Sequence, residues 1–280
     1  MIATKLYGGL GNQMFQYAAG ISLAKRLGTT MTIDLTWFES KEKAGTTTSR
    51  PYELGIFNLH SHIHHVNWLK RMLSWQSPLK SYLEPHYSFD PAFTSLPDGT
   101  QLDGYWQSER YFNDVEATIR EDFQFPAIHD PKNIEHLKSI REGISVSMHV
   151  RRGDYIANRA TNEFHGVAGL DYYREAVQLM EKRVGKARYF VFSDDPAWCR
   201  DNLPIPTGGV FVRNNSGSTS YRDMQLMSAC SHNIIANSSF SWWGAWLNNN
   251  PNKTVIAPKK WFNDESIDTA DLIPDSWIKQ

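Results

Sequence analysis

The sequence predicts an α/β protein with largely parallel sheets, and two observations indicate this class. Short runs of β-branched and aromatic residues alternate with segments of helical periodicity, most regularly after Ile144. The 280 residues exceed one average globular unit and suit two modest domains. Hydrophobic residues make up 41% of the chain and charged residues 21%, so each domain can bury a core.

The first half of the chain begins with a strand, a glycine-rich turn and a helix. Its predicted elements are a strand at 2–7, a turn at 8–13, a helix at 14–27, strands at 29–35 and 101–106, and a helix at 108–123. The stretch 41–97 is irregular. Two prolines between Phe125 and Pro131, followed by a short helix to Ile140, predict a boundary between domains 1–140 and 141–280.

The second half alternates strands and helices regularly. The strands are predicted at 144–150, 188–192, 209–212, 233–236 and 253–257, and the helices at 171–184, 196–202, 220–230 and 238–248. This order indicates βαβ units and a parallel sheet. Ligands bind beyond the carboxyl ends of such strands, so the residues that follow each strand are the candidate site residues.

The balance of charges excludes a protein that binds its partners through an overall field. Lys and Arg total 29 against 30 Asp and Glu, so no net charge attracts nucleic acid or an anionic membrane. The first residues lack the pattern of a signal peptide, and no apolar run approaches the ~18–20 residues of a membrane span. Cys199 and Cys230 match neither a disulfide scaffold nor zinc-ligand spacing. We therefore expect a reduced, cytoplasmic protein.

Two adjacent arginines follow the strand that ends at Val150. Arg151 and Arg152, preceded by His149, suit a doubly charged phosphate because guanidinium groups pair bidentately with phosphate oxygens. Asp154 could hold one guanidinium in place or act as a base. A solvated surface pair is the alternative, but the position at the carboxyl end of a strand favours the phosphate site.

Acidic residues follow the next predicted strand. Ser193 or Asp194 can cap the helix that begins near Pro196, and proline suits the first helical position. Capping needs only one acidic residue. The other carboxylate of the Asp194–Asp195 pair is therefore available to a base or a ribose.

A serine-rich helix start follows the strand at 233–236. Asn237, Ser238 and Ser239 precede or begin a helix whose free N–H groups and partial positive charge suit an anion, although a plain helix cap explains the same residues. The tryptophans of this helix are predicted to pack in the core.

The glycine turn at 8–13 is a weaker signal. It lacks the spacing of dinucleotide-binding and P-loop motifs, but its glycines let the backbone approach a ligand closely. The sequence contains no Asp-x-Asp triplet, and we predict no metal site. The charge of a bound diphosphate would then be neutralised by arginines and helix ends.

Together these segments resemble glycosyltransferase family 11, the bacterial α-1,2-fucosyltransferases. The matching segments are Gly8–Tyr17, Gly104–Glu109, His149–Tyr155, Asp171–Tyr173, Phe192–Asp195 and Asn237–Leu247. They occur in order along almost the whole chain. The His-x-Arg-Arg-x-Asp segment and the segment beginning Asn-Ser-Ser-Phe-Ser-Trp-Trp are the most specific.

The resemblance implies a GT-B-type architecture, with two Rossmann-like domains facing a cleft and the donor held mainly by the C-terminal one. It implies transfer of L-fucose from GDP-β-L-fucose, with inversion, to the 2-hydroxyl of a terminal β-galactose on a glycan. No cofactor or metal is expected. The stretch 41–97 would contribute to the acceptor surface, and the inner face of the membrane is a suitable place for such a protein. The oligomeric state is left open.

The resemblance also assigns residues by position. The donor-binding set comprises Gly11, Asn12, His149, Arg151, Arg152, Asp194, Asp195, Asn237, Ser238 and Ser239. Trp106 and Gln107 are predicted to bind the acceptor, and Arg151 and Asp154 are the predicted catalytic residues. Asp154 is the first candidate for a base, with His165 and Asp34 behind it, and a good leaving group can make a strong base unnecessary.

Three alternatives use parts of the same evidence. A fucosyltransferase of another linkage, α-1,3, α-1,6 or to a protein hydroxyl, shares the arginine-rich segment. A non-catalytic carbohydrate-binding protein would explain the 13% aromatic content without any affinity for GDP. A glycoside hydrolase needs two carboxyl groups roughly 5–9.5 Å apart, and it gives no reason for arginines at a phosphate-sized site.

Overall fold

The computed structural model describes residues 1–39, 51–59, 64–65, 79–153, 166–206 and 209–280. Within these ranges the chain divides into two units. The first comprises Met1–Pro126 and Ile267–Pro274, and the second comprises Ala127–Ser266 and Asp275–Gln280. Each unit is built on its own parallel sheet, which confirms the predicted α/β class.

The boundary between the units lies earlier than the predicted one near residue 140. The helix at Pro131–Arg141 belongs to the second unit because its side chains join that unit's core and polar contacts. Ile140 packs in one cluster with Phe190, and Nδ2 of Asn133 donates to Oδ1 of Asn215 at 2.8 Å. The prolines indicated the right region, but the helix that follows them begins the second unit.

The sheet of the first unit has the strand order β3-β2-β1-β5-β4, and its pairings are parallel. The strands are β1 (Ile2–Lys5), β2 (Met31–Asp34), β3 (His64–His65), β4 (Lys80–Leu83) and β5 (Thr100–Asp103). The α-helices are α1 (Leu10–Arg26), α2 (Thr36–Glu39) and α3 (Glu116–Asp122). Short 3₁₀ helices lie at Leu54–Ile56, Pro91–Ser95, Glu109–Tyr111 and Asn113–Val115.

Helix α1 begins earlier than its predicted start at Met14. Gly9 is its N-cap, and the N–H of Gln13 already bonds to the carbonyl of Gly9 at 3.1 Å. The helix packs closely on the sheet, since a Cβ added at Gly20 would stand 3.2 Å from Cβ of Thr4. The glycine motif is therefore a helix N-terminus after a strand, and only its first residues form a turn.

The predicted helix at 108–123 is divided into two 3₁₀ turns and α3. Phe112, between the turns, has φ −142°, which is not helical. Its ring is fully buried and lies 6.2 Å from the ring of Phe15. Burial of this ring outweighs the weak helix propensity of the residues that follow it.

The sheet of the second unit has the strand order β11-β10-β9-β6-β7-β8, again with parallel pairings. The strands are β6 (Ser145–Val150), β7 (Arg188–Ser193), β8 (Val210–Val212), β9 (His232–Ile234), β10 (Val255–Ala257) and β11 (Ile278–Lys279). The helices are α4 (Pro131–Arg141), α5 (Leu170–Val184), α6 (Pro196–Asn202), α7 (Tyr221–Ala229) and α8 (Ser239–Trp246), with a 3₁₀ turn at Gly217–Thr219. All side chains of β6 are buried, as the central strand of a covered sheet requires.

Helix α8 confirms the prediction that its tryptophans are core residues. Trp242 and Trp243 are fully buried, Trp246 nearly so, and Trp277 near the C terminus packs against Trp242 with ring centroids 5.3 Å apart. These rings therefore anchor α8 and fix the position of its N-terminus.

A short segment near the C terminus completes the first unit. In Ile267–Pro274, Leu272 and Ile273 are buried, and the carboxylate of Asp271 accepts from the backbone N–H of Phe89 at 3.1 Å and from Arg110 at 2.7 Å. The chain then returns to the second unit, where β11 pairs with β10.

Candidate active site

The predicted phosphate-binding residues meet at the carboxyl edge of the second sheet. Val150, the last residue of β6, pairs with Ser193, the last residue of β7. The segments that leave the two strands therefore start side by side. This register brings Arg151 and Arg152 next to the acidic pair that follows β7.

Asp194 holds the arginine segment through three groups. Its Oδ1 accepts from the backbone N–H of Arg152 at 2.9 Å, and its Oδ2 lies 3.2 Å from a guanidinium nitrogen of Arg151. The N–H of Gly153 bonds to it as well. Burial acts to raise the pKa of Asp194, but the Arg151 charge and the two N–H groups outweigh it and hold the pKa below its ordinary value. The carboxylate is therefore ionised and fixes the arginine segment.

Arg152 is held by an aromatic side chain that the sequence did not single out. Its guanidinium carbon lies 3.6 Å from the centroid of the Trp198 ring of α6. Its Nε is buried without a hydrogen-bond partner among the described residues, and it lies 3.9 Å from Oδ2 of Asp195. The stacking orients the guanidinium plane and leaves its edge available to an anion. An arginine followed by a helix with an aromatic side chain is too common a pattern to predict this contact.

His149 is neutral at the end of β6. Its side chain is buried, the ring lies 5.9 Å from that of Phe240, and no described residue bonds to Nδ1. Burial and then the neighbouring Arg151 charge lower the pKa of His149 far below its ordinary value. Its Nδ1 is thus a buried polar atom without a partner in the described part of the chain, which is a property of ligand-binding positions.

The two acidic residues after β7 have different tasks. Asp195, rather than Ser193 or Asp194, caps helix α6, because its side chain accepts from the N–H of Trp198 at 3.1 Å. As expected, one of the two carboxylates, that of Asp194, does not cap the helix. It binds the arginine segment.

The N-terminus of α8 presents free backbone donors. The first hydrogen bond of the helix runs from the N–H of Trp242 to the carbonyl of Ser238, so the N–H groups of Ser239, Phe240 and Ser241 have no partner within the helix. Ser238 is the N-cap, and its side chain makes no capping bond. Asn237 is buried and donates to the carbonyls of Gly166 and Trp261 at 3.3 and 3.2 Å, so its amide joins two neighbouring segments.

In the first unit, the predicted donor and acceptor residues are linked to each other. Oδ1 of Asn12, in the first turn of α1, accepts from Nε2 of Gln107 at 2.8 Å. Gly8 has φ +77°, and a Cβ there would meet the Asn12 side chain at 2.7 Å, so glycine is required beside Asn12. Trp106 is fully buried, and its ring packs against Phe93 and Tyr111. The structure thus gives the Trp106 ring no exposed face for an acceptor.

Of the candidates for a base, Asp34 is already engaged. It is 4% exposed, and its two oxygens accept from the N–H of Thr36 at 2.9 Å and from Gln101 at 2.6 Å. Asp154 and His165 lie outside the described residues. Among the described residues, no group of three or more His, Cys, Asp or Glu side chains is arranged to hold a metal ion, and none of the helices could cross a bilayer.

Comparison with known proteins adds a family assignment along the whole chain. The sequence profile of Glycosyl transferase family 11 matches residues 1–280. An alpha-1,2-colitosyltransferase of Escherichia coli is 33% identical over 296 residues, which cover 100% of this chain and 98% of that protein. The O-antigen biosynthesis glycosyltransferase WbnK of Escherichia coli is 35% identical over 300 residues, with 98% of each chain covered. Galactoside alpha-(1,2)-fucosyltransferase 2 of Bos taurus is 28% identical over 248 residues, 86% of this chain and 67% of its own.

Solved structures show the same fold. The NodZ alpha-1,6-fucosyltransferase soaked with GDP-fucose superposes with a TM-score of 0.53, covering 88% of this chain and 91% of its own at 16% identity. A second structure of fucosyltransferase NodZ, from Bradyrhizobium, gives a TM-score of 0.51 at 15% identity, with 87% and 90% covered. At this identity the likeness shows the fold alone, and that fold is the GT-B type.

Proposed function

The chain belongs to glycosyltransferase family 11, and from this premise we propose that it transfers L-fucose from GDP-β-L-fucose to the 2-hydroxyl of a terminal β-galactose. In the proposed reaction the anomeric configuration inverts, and no metal ion takes part. A fucosyltransferase that forms another linkage, or that uses another acceptor, is the alternative within the same chemistry.

One observation carries the donor part of the proposal. Two arginines stand at the carboxyl edge of the second sheet, and separate groups hold each of them: Asp194 contacts Arg151, and Trp198 stacks on Arg152. Two fixed cations at the edge where parallel sheets bind ligands suit a diphosphate, whose charge they neutralise bidentately. The free N–H groups at the start of α8 suit the same ligand, because helix N-termini bind phosphate oxygens.

The proposed chemistry is a single displacement at the anomeric carbon. The acceptor oxygen forms a bond to C1 of fucose while the bond from C1 to the β-phosphate oxygen breaks, and the acceptor proton leaves. Negative charge grows on the departing β-phosphate through an oxocarbenium-like transition state. Arg151 and the donors of α8 would stabilise that charge, and such preorganised stabilisation is commonly the largest catalytic contribution. Asp154 is the proposed proton acceptor.

A second donor is favoured by one comparison. The E. coli relative that is 33% identical over the full length is an alpha-1,2-colitosyltransferase, and colitose is L-fucose without its 3-hydroxyl. The same arrangement of charges could serve either sugar carried on GDP, because the arginines would contact the diphosphate and not the sugar. Competition between GDP-fucose and GDP-colitose in one reaction distinguishes the two donors by their ratio of kcat/KM.

The first test is GDP release from GDP-fucose with lactose as acceptor, with and without EDTA, and with the linkage of the product determined by NMR. Lactose-dependent turnover that survives EDTA and yields Fucα1-2Gal is the expected result. Turnover with another linkage would overturn the 2-hydroxyl assignment, and loss of turnover in EDTA would overturn metal independence. A protein that binds no GDP would instead be the non-catalytic carbohydrate-binding alternative.

A further inference from the structure

A group of aromatic side chains at the carboxyl edge of the first sheet has no part in the predicted site. Tyr7 follows β1, Trp37 lies in α2 just after β2, Tyr87 comes a few residues after β4, and Tyr105 follows β5. We call these four residues the aromatic edge patch. Ligands of parallel sheets bind at this edge, so four rings collected here need an explanation beyond core packing.

The four rings form one connected group. The Tyr105 ring lies 5.0 Å from that of Tyr7, at an interplanar angle of 75°, and is stacked on that of Tyr87 at 6.3 Å and 14°. The Trp37 ring lies 6.3 Å from that of Tyr7. All four side chains are partly exposed, whereas Phe93, a core ring of the same unit, is fully buried. The patch therefore offers ring surface to a ligand.

A partly buried carboxyl group fixes the backbone that carries one of these rings. The two oxygens of Glu84 accept from the backbone N–H groups of Tyr105 and Trp106 at 2.6 and 3.0 Å. Trp106 has φ +56°, a backbone conformation that costs free energy for a residue with a side chain. The two hydrogen bonds to Glu84 help to hold the backbone in this conformation. Gly104 makes room for it, since a Cβ there would stand 2.3 Å from Cβ of Glu84. Glu84 is thus a positioning residue for Tyr105.

The polar groups beside the patch do not favour an anion. Lys5, the cation next to Tyr7, is already paired with Asp103 at 2.8 Å, and its Nζ lies 5.9 Å from the centroid of the Tyr7 ring. Burial is the main cause that raises the pKa of the Tyr7 hydroxyl, with the Asp103 charge next. The hydroxyl therefore stays protonated and can donate. Rings combined with a carboxylate, an amine and a hydroxyl suit an uncharged ligand with one apolar face and a polar rim.

We infer that the aromatic edge patch binds the acceptor as a hexopyranose, with the apolar face of the sugar on the exposed ring surface of the patch and its hydroxyls toward Asp103 and Lys5. This inference rests on the proposed function. Aromatic side chains give a large contact area with a polar tip, which matches the two sides of a pyranose. Under this inference the acceptor contacts partly exposed rings instead of the buried Trp106. Trp106 and Gln107 then hold the segment in place through their packing and hydrogen bonds.

The test separates the acceptor from the donor. Tyr105→Ala and Tyr87→Ala are compared with the conservative Tyr105→Phe and with Phe89→Ala, which removes a partly exposed ring of the same unit outside the patch. The measurements are the KM for lactose, the KM for GDP-fucose, the Kd for GDP, and saturation transfer from the protein to lactose in NMR spectra.

We expect each alanine variant of the patch to raise the KM for lactose about tenfold, and Tyr105→Phe to raise it less than about threefold because the ring is kept. The Kd for GDP and the constants of Phe89→Ala should stay near wild-type values. If the KM for lactose is unchanged in both alanine variants while the wild-type protein transfers fucose normally, the inference about the patch is overturned and the proposed function stands. A wild-type protein that binds GDP but gives no saturation transfer to lactose would overturn the hexopyranose subsite while leaving the donor site. A wild-type protein without affinity for GDP would refute the proposed function itself.

Discussion

The contact between Arg152 and Trp198 makes a quantitative prediction. In Trp198→Leu the apolar packing of α6 is largely kept, but the stacking surface under the guanidinium at 3.6 Å is lost. Trp198 does not need to touch the ligand for this change to matter. We expect the stacking to persist when GDP binds, so that its own energy cancels and what remains is the cost of ordering Arg152.

That cost sets the magnitude. Immobilising a flexible side chain on binding costs about 0.5–1.5 kcal/mol, and wild-type Arg152 is already held by Trp198 before the ligand arrives. The variant meets this cost during binding. Since each 1.4 kcal/mol corresponds to tenfold in Kd, the affinity for GDP should fall by about 2- to 12-fold. The loss should appear mainly in the entropy of binding.

Titration calorimetry with GDP on four proteins checks this reasoning: wild type, Trp198→Leu, Arg152→Ala and the double variant. If Trp198 acts through Arg152, the double variant should bind GDP no more weakly than Arg152→Ala alone. An equal loss from Trp198→Leu in both backgrounds would mean that Trp198 acts independently of Arg152. An unchanged Kd in the single variant would show that the stacking does not preorganise the site.

Further expected outcomes concern the donor site, the pH dependence of stability and Gly104, which precedes Tyr105 of the aromatic edge patch. Arg151→Ala should lower kcat by about 10²-fold, as removal of other preorganised charge-stabilising donors does; near wild-type kcat and KM would refute its assignment. Burial and the Arg151 charge lower the pKa of His149 in the folded protein, so below the ordinary histidine pKa the unfolded chain binds a proton that the folded protein does not. The free energy of unfolding therefore decreases as the pH decreases. Between pH 7 and pH 5 this contribution amounts to about 2 kcal/mol, and urea titrations of His149→Asn should show a shallower loss than wild type by that amount. Gly104→Ala must displace Glu84 and should cost about 1–3 kcal/mol of stability, while Gly143→Ala, where an added Cβ meets nothing, should unfold like wild type; similar urea midpoints for both would contradict the steric argument.

The strands and helices of the second unit could be predicted closely because its hydrophobic period is regular. Helix α6 has the predicted bounds Pro196–Asn202, and β6 and β7 differ from prediction only at one end. The parallel direction of the strands also made it predictable that the arginine segment and the acidic pair meet, because parallel strands bring their carboxyl ends to one edge. Arg151 and Asp194 lie together for this reason, although they are far apart in sequence.

The errors arise where tertiary contacts override local signals. The predicted helix at 108–123 is interrupted because Phe112 buries its ring. The start of α1 was predicted too late, at Met14, because glycine usually indicates a turn. In the structure Gly9 caps the helix and Gly11 already lies within it. Trp106 was assigned to the acceptor from a motif, but the sequence does not show which side of the segment faces the core. Contacts such as Arg152 on Trp198 depend on side-chain directions that periodicity does not contain.

The return of Ile267–Pro274 to the first unit has a consequence for synthesis of the protein. A ribosome releases the strands of the first sheet early, but Asp271, whose carboxylate accepts hydrogen bonds from Phe89 and Arg110, lies 182 residues after Phe89 and emerges much later. Domains usually fold in order from the N-terminus during translation, but here the first unit lacks a segment that is made only after Ala127–Ser266 of the second unit. Premature termination after Ser266 would therefore leave neither unit whole. A fragment ending at Pro126 should be poorly folded unless the peptide 267–274 is joined to it.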